Sequence, residues 1–128
     1  MLSVDVGTVT VWMARHFKMN ANQDFIVSSW LATMGRGLAG SDHAASLSEP
    51  ERQAIAVCGD GGFSMVMQDL PTAVKYKLPI TVVILNNENL GMIEYEQSRS
   101  KAISTMSQNF KMSTMPHLQK AAEQRASK

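Results

Sequence analysis

The sequence predicts an α/β fold, a three-layer open parallel sheet with helices on both faces. Three observations predict it. Within residues 1–97, short apolar runs alternate with stretches whose apolar residues recur at helical spacing. The run Ala54–Cys58 is apolar throughout, as a strand covered on both faces requires. The resulting order, β-α-β-α-β-α-β, sets a helix between successive strands, which implies parallel pairing through right-handed crossovers.

Leu2–Val6 reads as the first strand and runs into Gly7; Val9, Trp12, Met13 and His16 then fall at helical spacing. Phe25-Ile26-Val27, within Asp24–Ser28, is the second strand. From Leu31 to Leu47 small residues dominate, which suits a helix packed close to a sheet or ligand. Glu49-Pro50-Glu51-Arg52 is a polar turn, and Ala54–Cys58 is the third strand, broken at Gly59-Asp60-Gly61-Gly62. Phe63, Val66, Met67, Leu70 and Val74 then form a helix stripe. Pro71 falls inside that helix and is expected to cost ~3 kcal/mol or to kink it. Ile80–Leu85 is the clearest strand and ends at Asn86-Asn87.

The chain has 128 residues, of which 45% are hydrophobic and 18% charged, so it reads as one ordinary globular domain and not as a disordered or fibrous chain. No apolar run approaches the ~20 residues of a membrane helix. The opening Met-Leu-Ser-Val-Asp has no basic stretch, and Cys58 is the only cysteine, so a cytoplasmic setting is expected. Metal sites built on cysteine clusters are excluded. Trp12, His16 and Trp30 read as packing residues, Cys58 as an inert buried thiol, and Arg15 and Lys18 as solvated surface.

The chemistry gathers at the carboxyl ends of the strands, where ligands of open α/β sheets bind. Gly59-Asp60-Gly61-Gly62 is nearly free of side chains, so its amides suit a phosphate. The Lys and Ser/Thr of a phosphate-loop NTPase are absent, and the glycine spacing is not that of a dinucleotide fingerprint. Instead there is an acid in the middle of the turn, which makes sense if a divalent cation sits between carboxylate and phosphate. Asp60, an amide oxygen and a backbone carbonyl from Asn86-Asn87-Glu88-Asn89, two phosphate oxygens and a water would give the oxygen octahedron of Mg²⁺. Taken singly, Asp60 and Asn87 are ordinary turn formers; the two together, at the ends of two apolar strands, favour the site.

Gly59-Asp60-Gly61, followed after 24 residues by Asn86-Asn87, resembles the thiamine diphosphate motif of the decarboxylase and oxidase family. Residues 59–70 are most similar to pyruvate oxidases, with acetolactate synthases behind, and the resemblance covers residues 2–97. It implies the thiamine-diphosphate-binding fold, incomplete at both ends. It also implies that Asp60, Asn87 and Asn89 hold Mg²⁺, while the amides of Gly61, Gly62 and Phe63 meet the diphosphate. Gly7 and Thr8 match the loop gripping the cofactor from the other side, and Gly91 joins the cofactor set. Met34 matches the bulky residue under the bent cofactor, and Met92, Ile93 and Glu96 match the segment facing a 2-keto acid such as pyruvate. Met34 and Met92 would otherwise read as core filling.

The resemblance further implies that an N-terminal domain supplying a glutamate, and a middle domain binding FAD in the oxidases, are absent here. The isolated chain is therefore expected to be inactive, and full-length relatives to be homo-oligomers, dimers or tetramers. No membrane partner is expected. Gly40-Ser41-Asp42-His43-Ala44 departs from the family, which has small and apolar residues there.

After Gln97 the resemblance stops. Residues 1–97 carry a net charge of −4, whereas Ser98–Lys128 carries six Lys/Arg against one Asp/Glu, a net +5. One reading of this atypical tail is out-of-frame translation. Codons allowed for Phe110–Lys120, read two nucleotides out of register, permit an acidic-aromatic pair before an Ala-rich stretch, as in the family. The rival is a nucleic-acid-binding tail, but its basic residues are scattered and Phe110 is its only aromatic residue, so no nucleic-acid partner is expected. Three readings stand: an oxidase- or synthase-type fragment, a non-catalytic α/β binding module, and a fragment without stable function.

Overall fold

The computed structural model describes residues 1–43 and 52–99. Its elements are β1 (Leu2–Val4), α1 (Thr8–His16), β2 (Phe25–Val27), α2 (Arg36–His43), β3 (Ala54–Gly59), α3 (Asp60–Val66), a 3₁₀ turn (Met67–Asp69), α4 (Leu70–Lys75), β4 (Ile80–Leu85) and α5 (Gly91–Arg99). The four strands form one all-parallel sheet in the order β2-β1-β3-β4. The predicted α/β fold with a parallel sheet is therefore the one observed.

Alternation along β3 builds the layers, because successive side chains leave opposite faces of a strand. Val57 points to α1 and packs with Leu2, Val4 and Val9. Its neighbour Cys58 points the other way and packs with Leu38 of α2 and Phe63 of α3. Helices thus cover both faces, and β3 is buried on both sides as its apolar run predicts. On β4, Ile80, Val82 and Ile84 face the second cluster, while Val83 and Leu85 on the other face are 41% and 40% exposed. The small residues of α2 allow its close approach: a Cβ added to Gly37 would lie 2.8 Å from Cys58 Sγ.

Several expectations need correction. The predicted helix from Leu31 starts only at Arg36, because Ala32 and Gly35 take positive φ, 49° and 85°, which a right-handed helix forbids. Residues 44–47 and the turn at 49–51 lie outside the described residues. The predicted Phe63–Tyr76 helix begins earlier, at Asp60, and is split by the 3₁₀ turn at Met67–Asp69. Pro71 consequently sits in the first turn of α4, where a missing N–H costs nothing, so the expected penalty does not arise. Trp12 and Trp30, expected to pack, are 59% and 93% exposed. Trp12 instead stacks on His16 with ring centroids 5.4 Å apart. Helix α5 has no counterpart in the predicted order and runs past residue 97 to Arg99; the rest of the tail lies outside the described residues.

Burial, and secondarily the charge of Asp5, push the Cys58 thiol up to about 12. Native protein at pH 8 should leave this thiol unmodified by a charged disulfide reagent, with full reaction after unfolding in guanidinium. Rapid native labelling would show that β3 is not sealed.

Candidate functional site

Three strand ends converge on one cleft. From β1 come Val6, Gly7 and Thr8, from β3 the turn Gly59–Gly62, and from β4 the segment Asn87–Ile93; Met34, just before α2, completes the wall. Among the predicted site residues, Gly7, Thr8, Met34, Asp60, Gly61, Gly62, Asn87, Asn89, Gly91, Met92 and Ile93 all line it. Two do not. Phe63 is 3% exposed and its ring belongs to the core, so only its backbone is left for a ligand. Glu96 is exposed on α5, one turn beyond Met92.

The turn after β3 is tighter than the sequence implies, because α3 starts at Asp60 itself. Gly59 occupies the N-cap and offers no side-chain cap, so the first-turn amides of α3 have no intrahelical acceptor. Asp60 is 1% exposed, and its Oδ2 has no hydrogen-bond partner among the described residues. One terminal atom of the Asn87 amide stands 3.1 Å from Asp60 Oδ1 and 2.8 Å from the Asn89 carbonyl oxygen. If that atom is nitrogen, it donates to both. Nitrogen is the atom that satisfies these partners, because an oxygen there would face only acceptors. The Asn89 side chain donates through Nδ2 to a Glu94 carboxylate oxygen while its Oδ1 is buried without a partner among the described residues, and the Asn89 carbonyl faces the Asn87 amide.

The loop carrying these groups is shaped by its own asparagines. Asn86 Oδ1 accepts from the Glu88 amide at 3.0 Å, and Glu88 takes a φ of 55°. The turn-forming role of asparagine and its placement at the site therefore coexist here.

Sequence reading missed Leu90. Its side chain lies over Gly61, where an added Cβ would meet Leu90 Cδ2 at 2.5 Å. Leu90 is one wall of the cleft, an open depression of about 40 Å³. A leucine in a polar loop carries no sequence signal for such a position.

Comparison with known proteins identifies the family. Residues 5–125 match the family described as thiamine pyrophosphate enzyme, C-terminal TPP binding domain. A Bacillus subtilis protein named as thiamine pyrophosphate-containing, YdaP, is 95% identical over 96 residues, 75% of this chain and 17% of that protein. Pyruvate oxidase of Lactiplantibacillus plantarum is 45% identical over 95 residues, 74% of this chain and 16% of that protein. Acetolactate synthase isozyme 2 large subunit of Escherichia coli is 36% identical over 96 residues, 75% of this chain and 17% of that subunit. The chain spans about a sixth of the length of these relatives. No helix among the described residues is long and apolar enough to cross a membrane. A parallel α/β sheet with its cleft at the strand ends, together with this match, shows that the chain belongs to the thiamine pyrophosphate enzymes, in their C-terminal cofactor-binding domain.

Proposed function

We propose that this chain is the thiamine-diphosphate- and Mg²⁺-binding part of an enzyme that decarboxylates a 2-keto acid such as pyruvate, of the pyruvate oxidase type. The observation that supports the metal is the buried Asp60 carboxylate with its unpartnered Oδ2, beside the Asn87 amide and the Asn89 carbonyl. An Asn87 amide turned over would offer its oxygen beside Asp60 Oδ1 and the Asn89 carbonyl, a set of hard oxygen donors suited to Mg²⁺. The unpartnered, buried Asp60 Oδ2 is the kind of acceptor that a cation or its water satisfies.

Around that point the residues divide the work. Asp60 contributes the negative charge, and Asn87 and the Asn89 carbonyl contribute neutral oxygens. The amides of Gly61, Gly62 and Phe63 are the donors for a diphosphate, with Gly7 and Thr8 across the cleft. Met34 reaches toward Gly61, its Cε 3.7 Å from where a Cβ would stand there, and would support a cofactor held by that turn. Met92 and Ile93 would present the substrate side of the cleft, with Glu96 one turn further along α5 outside its lining. Thiamine diphosphate, when bound, supplies a thiazolium that stabilises carbanion character. FAD in a separate domain, homo-oligomeric assembly and a cytoplasmic setting belong to the same reading. So does an out-of-frame origin for residues 98–128, which sequencing of the gene tests directly.

Calorimetry with thiamine diphosphate and Mg²⁺ should give a saturable heat that EDTA removes. Without turnover assistance from a carboxylate outside this chain, worth ~10²–10⁴-fold, the chain alone should not release carbon dioxide from pyruvate. Absence of any Mg²⁺-dependent heat would sink the reading; so would turnover by the isolated chain that survives EDTA.

A further inference from the structure

We infer that Asp5 is a positioning residue for the diphosphate cradle, its carboxyl group acting as the spacer between the start of α2 and the first turn of α3. The inference rests on the thiamine-diphosphate reading proposed above.

Asp5 directly follows β1 and is 0% exposed. Its main chain is fixed on both sides. The Asp5 amide donates to the Val57 carbonyl at 2.9 Å, and the Asp5 carbonyl accepts from Thr10 Oγ1 at 2.6 Å. Its Oδ1 accepts from the Val6 amide at 2.8 Å, which sets the turn into Gly7 and Thr8. Oδ2 has no hydrogen bond of good geometry among the described residues. It points at Gly62, where an added Cβ would fall inside the carboxyl group. Against its other side stands Gly37 of α2, whose added Cβ would lie 3.1 Å from Asp5 Cβ. The carboxyl is thus held between two glycines, one in each helix start, and touches the segments that form three walls of the cleft.

The amides at the start of α2 offset part of the burial cost of this carboxyl. A buried carboxyl with an unpartnered oxygen is costly, and burial pushes the Asp5 carboxyl up, against smaller opposing effects from the amides of Val6, Gly35, Gly37 and Arg36. The carboxyl also bears on Gly62, a lining residue of the cleft in the first turn of α3. Shape is what the role requires: the group fills the gap that fixes where the α3 amides stand, whether or not it is ionised.

The test uses the 128-residue chain, thiamine diphosphate at saturating Mg²⁺, calorimetric Kd values and a far-ultraviolet circular dichroism melt of every variant. Asp5→Asn, nearly the same shape, should bind within about threefold of the parent, since packing and not charge is kept. Asp5→Ala should weaken binding roughly tenfold or more, the worth of one displaced charge-assisted donor, while still melting cooperatively. Gly62→Ala should weaken it similarly, and Asp5→Ala/Gly62→Ala should bind no worse than Gly62→Ala, because the new methyl then has room. Should Asp5→Ala not melt cooperatively, Asp5→Ser replaces it with the same expectations. Parent-like binding by the Ala or Ser variant, or fully additive losses in the double variant, overturns the inference while leaving cofactor binding intact. No Mg²⁺-dependent binding by the parent chain overturns the underlying reading, and the inference with it.

Discussion

Asp60→Ala is expected to abolish Mg²⁺-dependent thiamine diphosphate binding, weakening it by roughly 10²-fold or more, beyond the ~10–100-fold of losing an outer-shell partner. Asp60 is the charged group at this point; the Asn87 amide and the Asn89 carbonyl beside it are neutral. Without it a strongly hydrated dication has little reason to leave water. The same substitution should act oppositely on the fold. Asp60 is 1% exposed with an unpartnered Oδ2, so deleting it removes a desolvation cost, and the metal-free variant should gain about 1 kcal/mol of stability. Calorimetry reads the first effect and a urea melt in EDTA the second. Parent-like affinity in the variant would refute the metal assignment, and equal loss of affinity and stability would recast Asp60 as a structural residue.

Leu38→Ala should bring the largest loss of stability, about 2–5 kcal/mol, because its cavity cannot collapse easily. Leu38 is 0% exposed and sits where α2 meets Ala56, Cys58 and Phe63. Against a typical total of ~5–15 kcal/mol this is a large share, a fall of about 8–20 °C in Tm. The effect should reach the cleft as well, since Leu38 adjoins Gly37, against which Asp5 rests. A loss below about 1 kcal/mol in a thermal melt would mean that α2 is not seated on the sheet as described.

The elements most legible in the sequence were those whose signal is local and repeated. Ala54–Cys58 and Ile80–Leu85 announce strands by continuous apolarity or by length, and each appears where expected. The helix after β3 was legible only as far as the 3₁₀ turn. Phe63, Val66, Met67 and Leu70 keep the phase of one stripe and pack together, yet Val74 is 75% exposed and Ala73 is buried in its place. Tighter winding over three residues advances the phase, and no residue type reports that in advance. Helix α5 escaped notice because its sequence is polar nearly all round, leaving no apolar period to read. At the cleft, the glycines, Asp60 and Asn87 stood out as a spaced motif. Asp5 did not: a single acid after an apolar run looks like a strand end, and only three-dimensional packing reveals Gly62 and Gly37 on either side of it.

The first strand of the chain is an inner strand of the sheet, and this arrangement has a kinetic consequence. Leu2 pairs with Phe25 on one side and with Ile55 on the other. At ~5–20 residues per second of synthesis, β1 must wait seconds on the ribosome before β3 exists to pair with it. Non-local parallel pairing also folds slowly once the chain is free, in the millisecond-to-second range. The cleft closes later still, for its walls run from Val6 to Ile93. A ligand therefore meets a finished cleft only at the end of this timetable, and it acts by holding a completed sheet against reopening, by RT ln(1 + [L]/Kd). Chains made where cofactor is scarce would spend longer half-assembled, with the pairing edges of β1 unfilled during that wait.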